Sequence, residues 1–132
     1  MIVFDASSVV GAALKRDSTP FRALDKVRHR SRLAMSDAVA NEIRDVLRRP
    51  KFVSMLDPDW LTEVEAWMFT DADWFEAKTQ VFDCRDPKDN KYLELALAAT
   101  ASALISSDMD LLTLHPWRGI PIRRPADYLL QL

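Results

Sequence analysis

The chain has 132 residues, 48% of them hydrophobic, with two glycines and one cysteine; this suits one domain with a substantial core and excludes an intramolecular disulfide or an all-cysteine metal site. The net charge of −2 conceals a segregation, because residues 15–51 carry eleven Lys/Arg against five Asp/Glu, and residues 57–94 carry four against eleven. A basic face able to attract a polyanion is therefore expected beside an acidic region able to hold a metal ion. No linker, low-complexity stretch or internal repeat divides the chain, the opening MIVF is too short for a signal peptide, and no apolar run approaches the roughly 20 residues of a membrane span. A single cytoplasmic domain over residues 1–132 is the expectation, with no membrane partner.

Residues 1–4 read as a short buried strand with Asp5 at its carboxyl end, the edge at which open parallel α/β sheets bind ligands. Residues 6–14 and 20–27 read as helices, with Pro20 tolerable in a first turn. A second strand is predicted over residues 33–35, and Ser36 is placed to cap a helix over 37–47, where Val39, Ile43, Val46 and Leu47 recur at helical spacing. Glu42 flanks that stripe, at the core edge. Asp57-Pro58 starts another helix, with Trp60, Leu61, Val64, Trp67 and Met68 as its apolar face. Trp60, Trp67 and Trp74 recur every seven residues, which most simply predicts a buried helix seam and more sharply a surface for stacking bases. Residues 79–82 read as a strand, 83–88 as a polar loop, and Asp89 opens a helix carrying Tyr92, Leu93, Leu95, Ala96 and Ala99. A strand over 103–106, a last strand over 120–122 and a closing helix over 125–130 complete an alternation that predicts an α/β fold of three α/β/α layers around a central parallel sheet.

Asp5 and Asp108 each follow a short apolar strand, so a parallel sheet brings both carboxylates to one edge. Asp89 and Glu42 join them if their helices present those turns to the same edge. Asp is also common at strand ends and helix caps, and a lone Asp89 is most simply an N-cap; four acids at such places point instead to a Mg²⁺ or Mn²⁺ site for phosphoryl chemistry. Asp86, before Pro87, and Asp110, a cap for a helix starting at Leu111, are secondary ligands or caps. Ser7 and Ser106 are placed to hydrogen-bond the carboxylates or to cap locally. A nucleophilic triad lacks a partnered histidine, since His29 ends a basic helix and His115 precedes Pro116, and DASSVVG has one glycine where a phosphate loop needs several. Lys15, Arg16, Arg44, Arg48 and Arg49 are candidate contacts to a phosphate backbone, with a solvated helix face as the plainer alternative.

Three stretches, IVFDASSVVGAAL, ANEIRDVLRRPKF and CRDPKDNKYLELALAATASALISSDMDLL, followed by GIPIRRPADYL, make the chain resemble the PIN domains, and within them the VapC-like toxins of type II toxin–antitoxin pairs. The resemblance implies that Asp5, Glu42, Asp89 and Asp108 form an acidic quartet binding Mg²⁺ or Mn²⁺ and that the activity is endonucleolytic cleavage of RNA, leaving a 5′-phosphate and a 3′-hydroxyl. It also implies a cognate antitoxin and a homodimer. A non-cleaving RNA- or protein-binding module and an RNA-processing nuclease without an antitoxin are the alternatives. Thr100, Ser102 and Ser107 depart from the small or glycine residues frequent at the corresponding turns of PIN domains, which touches turn geometry more than ligand identity.

Overall fold

The run Ile2–Phe4 (β1) is buried along its whole length and pairs in parallel with Ala103–Ile105 (β4), Val3 opposite Leu104, in the computed structural model, which describes residues 1–131. Unbroken apolar burial of this kind belongs to parallel strands covered on both faces. β4 pairs in parallel with Ile122–Arg123 (β5). On the other side of β1, a parallel bridge from Ile2 to Leu33 and a 2.9 Å bond from Ile2 N–H to the Arg32 carbonyl bring in Ala34–Met35 (β2), which pairs in parallel with Asp73–Trp74 (β3). The strand order is thus β3-β2-β1-β4-β5, with β2 joined to β1 through that bridge. The chain moves outward from β1 to β3, then returns past β1 to β4 and β5. Right-handed crossovers place the outgoing and returning connections on opposite faces, which is the layered α/β arrangement expected from the sequence.

Asp5 caps Ala6–Leu14 (α1) and Ser18 caps Thr19–Arg30 (α2), each side chain accepting a backbone N–H three residues on. A methyl group at Gly11 would stand 3.0 Å from Pro20 Cγ, so the missing side chain lets α2 start close against α1. Ser36 caps Asp37–Leu47 (α3) as expected, and a single turn, Pro50–Val53 (α4), follows. Pro58–Glu65 (α5) runs into a π-helical turn at Ala66–Thr70. A 3₁₀ turn at Pro87–Asp89 leads into Asn90–Ala98 (α6), and Met109–Leu112 (α7) and Pro125–Leu129 (α8) complete the elements. Phe4, Ile43, Leu93, Leu95, Leu104 and Ile105 fill the core between sheet and helices. None of the described helices is long and apolar enough to cross a membrane.

Three expectations fail locally. Residues 79–82 form no strand, because the place beside β2 is taken by β3: Asp73 N–H bonds the Leu33 carbonyl at 2.9 Å, Phe75 N–H bonds that of Met35 at 2.8 Å, and Arg32 clamps the Asp73 carboxylate. Val81 N–H is answered by the Glu94 carboxylate at 2.9 Å instead of by a ladder. Trp74 consequently lies in β3 and is exposed, so the heptad spacing ends at Trp67; Trp60 and Trp67 do meet edge-on at 5.5 Å. The last strand is shifted to Ile122–Arg123, since Ile120 turns back to bridge Trp117 across Arg118 and Gly119, both at positive φ.

A candidate metal centre at the carboxyl edge of the sheet

The carboxyl ends of β1 and β4 flank the point where the strand order reverses, the crevice at which α/β sheets take ligands. Asp5 leaves β1 only 3% exposed, and its carboxylate is held from three sides. One oxygen accepts Ser8 N–H at 2.9 Å; the other accepts the Ser7 hydroxyl at 3.0 Å and the Ser106 hydroxyl. Ser106, fully buried after β4, also accepts Asp108 N–H at 3.0 Å, so one hydroxyl ties the two strand ends together. Burial raises the Asp5 pKa above the ordinary carboxylate range, while the bonds from Ser106, Ser8 and Ser7 work against the rise. The Tyr92 phenol from α6 accepts Ala6 N–H at 3.2 Å, and its burial pushes the phenol well above its usual pKa.

Asp89, Asp108 and Asp110 offer carboxylate oxygens that lie within 4.8 Å of one another. The caps are assigned differently from the sequence expectation. Asp86 caps the 3₁₀ turn, accepting Lys88 N–H at 3.0 Å, so Asp89 makes no capping bond and turns its carboxylate to Asp108. Asp108, not Asp110, caps α7, accepting Asp110 N–H at 3.3 Å; Asp110 is left facing the cluster, with Arg85 3.1 Å away on its outer side. Partial burial, then the hydrogen bond and charge of Asp108, with Asp86 and Asp5 beyond, push Asp89 up to about 8. Two carboxyl groups this close share a proton unless a cation replaces it.

Glu42 from α3 lines the same cleft, and its carboxylate contacts the Lys91 ammonium from the first turn of α6. Asp5, Glu42, Asp89 and Asp108 all line one cleft of about 750 Å³, together with Asp86 and Ser7, so all four acids singled out in the sequence open on a common space. Val10, Leu14, Val46 and Phe52 form its apolar wall. Of the five basic candidates, Arg49 lines the cleft. Arg48 is exposed at the end of α3 and Lys15 at the end of α1. Arg44 lies over the Phe69 ring at 4.1 Å, and Arg16 pairs with Glu63 at 3.0 Å while lying over Trp60 at 4.2 Å, so both have structural tasks within the chain. Lys91 and Phe52 escaped the sequence reading. The position of Lys91 two residues after Asp89 was the available signal, whereas Phe52 had none beyond its place after a basic run.

The donor set is entirely carboxylate oxygen, with Asp89 raised by burial and by its neighbour Asp108, and fits a hard divalent cation such as Mg²⁺ or Mn²⁺. No curated protein matches the chain significantly. A family model described as the PIN domain matches residues 1–110, a stretch that contains both strand ends and every acidic residue of the cleft, and the chain belongs to the PIN domain family.

Proposed function

We propose that the chain is an endoribonuclease that depends on Mg²⁺ or Mn²⁺ and acts as the toxin of a toxin–antitoxin pair. PIN domains are generally nucleases. The observation that carries the reading is the convergence of Asp5, Asp89 and Asp108 on one cleft at the switch point of the sheet, where partial burial and then the neighbouring Asp108 push Asp89 up to about 8. Asp89, Asp108 and Asp110 are the residues that would hold the ion, with Asp5 beside them. When bound, such an ion neutralises charge on phosphate oxygens and lowers the pKa of its water.

The chain's own contribution is orientation. Three hydrogen-bond donors keep Asp5 from turning away, and the Ser106 hydroxyl fixes the spacing between the β1 and β4 ends. Arg49, on the cleft wall, is placed to take a phosphate neighbouring the one that reacts, which an otherwise anionic cleft requires. Phe52 and Leu14 offer an apolar surface to an unstacked base. In the reaction, a water oxygen bonds to phosphorus as the P–O3′ bond breaks, giving a 5′-phosphate and a 3′-hydroxyl. Support for the toxin role and for a cognate antitoxin comes from the motif blocks DPKDNKYLELA and SDMDLL.

The test is cleavage of a mixed cellular RNA pool by the purified protein with Mn²⁺, against EDTA and against Asp5→Asn. Asparagine can still cap α1, so the variant should fold, and cutting is expected to vanish in both controls. RNA binding without cutting in the presence of Mn²⁺ would replace the enzyme by a binding module. Growth arrest on induction, relieved by Asp5→Asn, tests the toxin role; normal growth alongside metal-dependent cutting would favour an RNA-processing nuclease.

A further inference from the structure

Glu42 stands apart from the other acids of the cleft in one respect. The oxygens of Asp89, Asp108 and Asp110 gather within 4.8 Å of one another, and Glu42 does not join that group; its carboxylate is engaged by the Lys91 ammonium. Both side chains of the pair are only about a quarter exposed, at 24% for Lys91 and 25% for Glu42. Lys91 lies two residues after Asp89 in the first turn of α6, so one turn of chain supplies both an acid of the cluster and the ammonium that engages Glu42. Glu42 lines the same cleft of about 750 Å³ as Asp89 and Asp108, and nucleases of the two-metal kind hold a pair of ions about 3.5–4 Å apart.

The chemistry of the pair decides how many ions fit. A half-buried carboxylate needs a counter-charge, and here it already has one from within the chain. For a second dication to use Glu42, the Lys91 ammonium would have to leave its partner and remain close by, partly buried, against two positive charges. A fixed ammonium meets the same electrostatic demand without that cost. Resting on the metal-dependent reading above, we infer that Lys91 is a built-in cation at Glu42, so that the cleft holds a single divalent ion, on the side of Asp89, Asp108 and Asp110. The inference departs from the quartet implied by family resemblance, in which Glu42 helps hold metal.

The experiment counts bound Mn²⁺ per full-length chain, by the loss of the free-ion electron paramagnetic resonance signal during titration in one buffer, for wild type, Glu42→Gln, Lys91→Met and the double variant. One ion is expected for the wild type and one for Glu42→Gln with unchanged affinity. Lys91→Met, which keeps the length of the side chain and removes its charge, is expected to bind two, and the double variant one again. Two ions on the wild type, or a weakened ion in Glu42→Gln, would overturn the inference; the latter result does not depend on Lys91→Met folding. A folded Lys91→Met that still binds one ion, with only a lower melting temperature, would return Lys91 to a plain structural ion pair and also overturn it. Asp108→Asn separates the two levels: if the wild type binds no Mn²⁺, or binds it as well after Asp108→Asn, the metal centre itself falls and this inference with it.

Discussion

Ser106→Ala is the most informative substitution in this chain, because one buried hydroxyl serves both strand ends. Removing it deprives the Asp5 carboxylate of a charge-assisted hydrogen bond, an interaction that contributes about 1.5–3 kcal/mol, and leaves Asp108 N–H without its partner, which costs about 1 kcal/mol more. The expected loss is about 3 kcal/mol, which for a domain of this size corresponds to a fall in Tm of roughly 10 °C. The sign of the pH dependence follows from Asp5. Burial already raises its pKa, and loss of the Ser106 donor raises it further in the folded state. Stability that depends on an ionised, hydrogen-bonded Asp5 is present at high pH and disappears once the group is protonated, so the difference between wild type and variant should be larger at pH 8 than at pH 5. Thermal melts of the metal-free proteins at the two pH values read both quantities. Ser7→Ala is the comparison, since Ser7 bonds the same oxygen from an exposed position and its loss should cost about 1 kcal/mol or less. A Ser106→Ala melt at pH 8 within about 2 °C of the wild type, or no larger a loss than that of Ser7→Ala, would refute the idea that this hydroxyl ties the site together.

The crowded carboxylates make a second pH prediction. Asp89 is raised from 3.8 to about 8 in the folded chain, so the folded state keeps a proton that the unfolded state releases, and metal-free stability should fall as pH rises through that window. Saturating Mn²⁺ should reverse the fall, and Asp108→Asn should flatten it; a metal-free Tm that is level from pH 5 to pH 8 would deny the coupling. Thr100 occupies the residue after the cap of α6 at φ 48°, with Ala101 N–H bonded to the Ala96 carbonyl at 2.9 Å and Thr100 N–H to that of Leu97 at 3.2 Å. This is a Schellman turn, which favours glycine, so Thr100→Gly should gain about 0.5–1 kcal/mol after the entropy cost of glycine in the unfolded chain. An unchanged or lower denaturant midpoint would count against it. Arg48→Glu with Arg49→Glu should weaken RNA binding and reduce the salt slope by about 0.7 for each lost phosphate contact, measured by fluorescence anisotropy across ionic strengths. A slope equal to that of the wild type would make both residues a solvated helix end.

Much of this architecture was legible because its signals are local. Ser36 announces a helix start through a short side chain that can satisfy a backbone N–H three residues on, and IVF and ALI announce buried parallel strands through unbroken apolar runs. The misreadings share another cause. Residues 79–82 have the composition of a strand, yet strand formation requires a free edge, and β3 holds the edge beside β2 through contacts of Asp73 with Leu33 and Arg32 that lie far away in sequence. Trp74 keeps the heptad spacing of Trp60 and Trp67, but the π-helical turn at Ala66–Thr70 ends the helix before it.

The site divides along the same line. Sequence alone determined that Asp5 and Asp108 stand at strand ends, since an apolar run followed by a carboxylate places the acid at the strand terminus whatever the rest of the chain does. Only the tertiary structure decided which acids face one another. Asp86 takes the cap that would have occupied Asp89, Asp108 takes the cap expected of Asp110, Ser106 bridges from β4 to Asp5, and Lys91 claims Glu42. The two caps are settled within a turn of chain, by which carboxylate reaches a backbone N–H two residues on, whereas the Ser106–Asp5 and Lys91–Glu42 pairs join segments dozens of residues apart, and no local pattern in the chain encodes such distances.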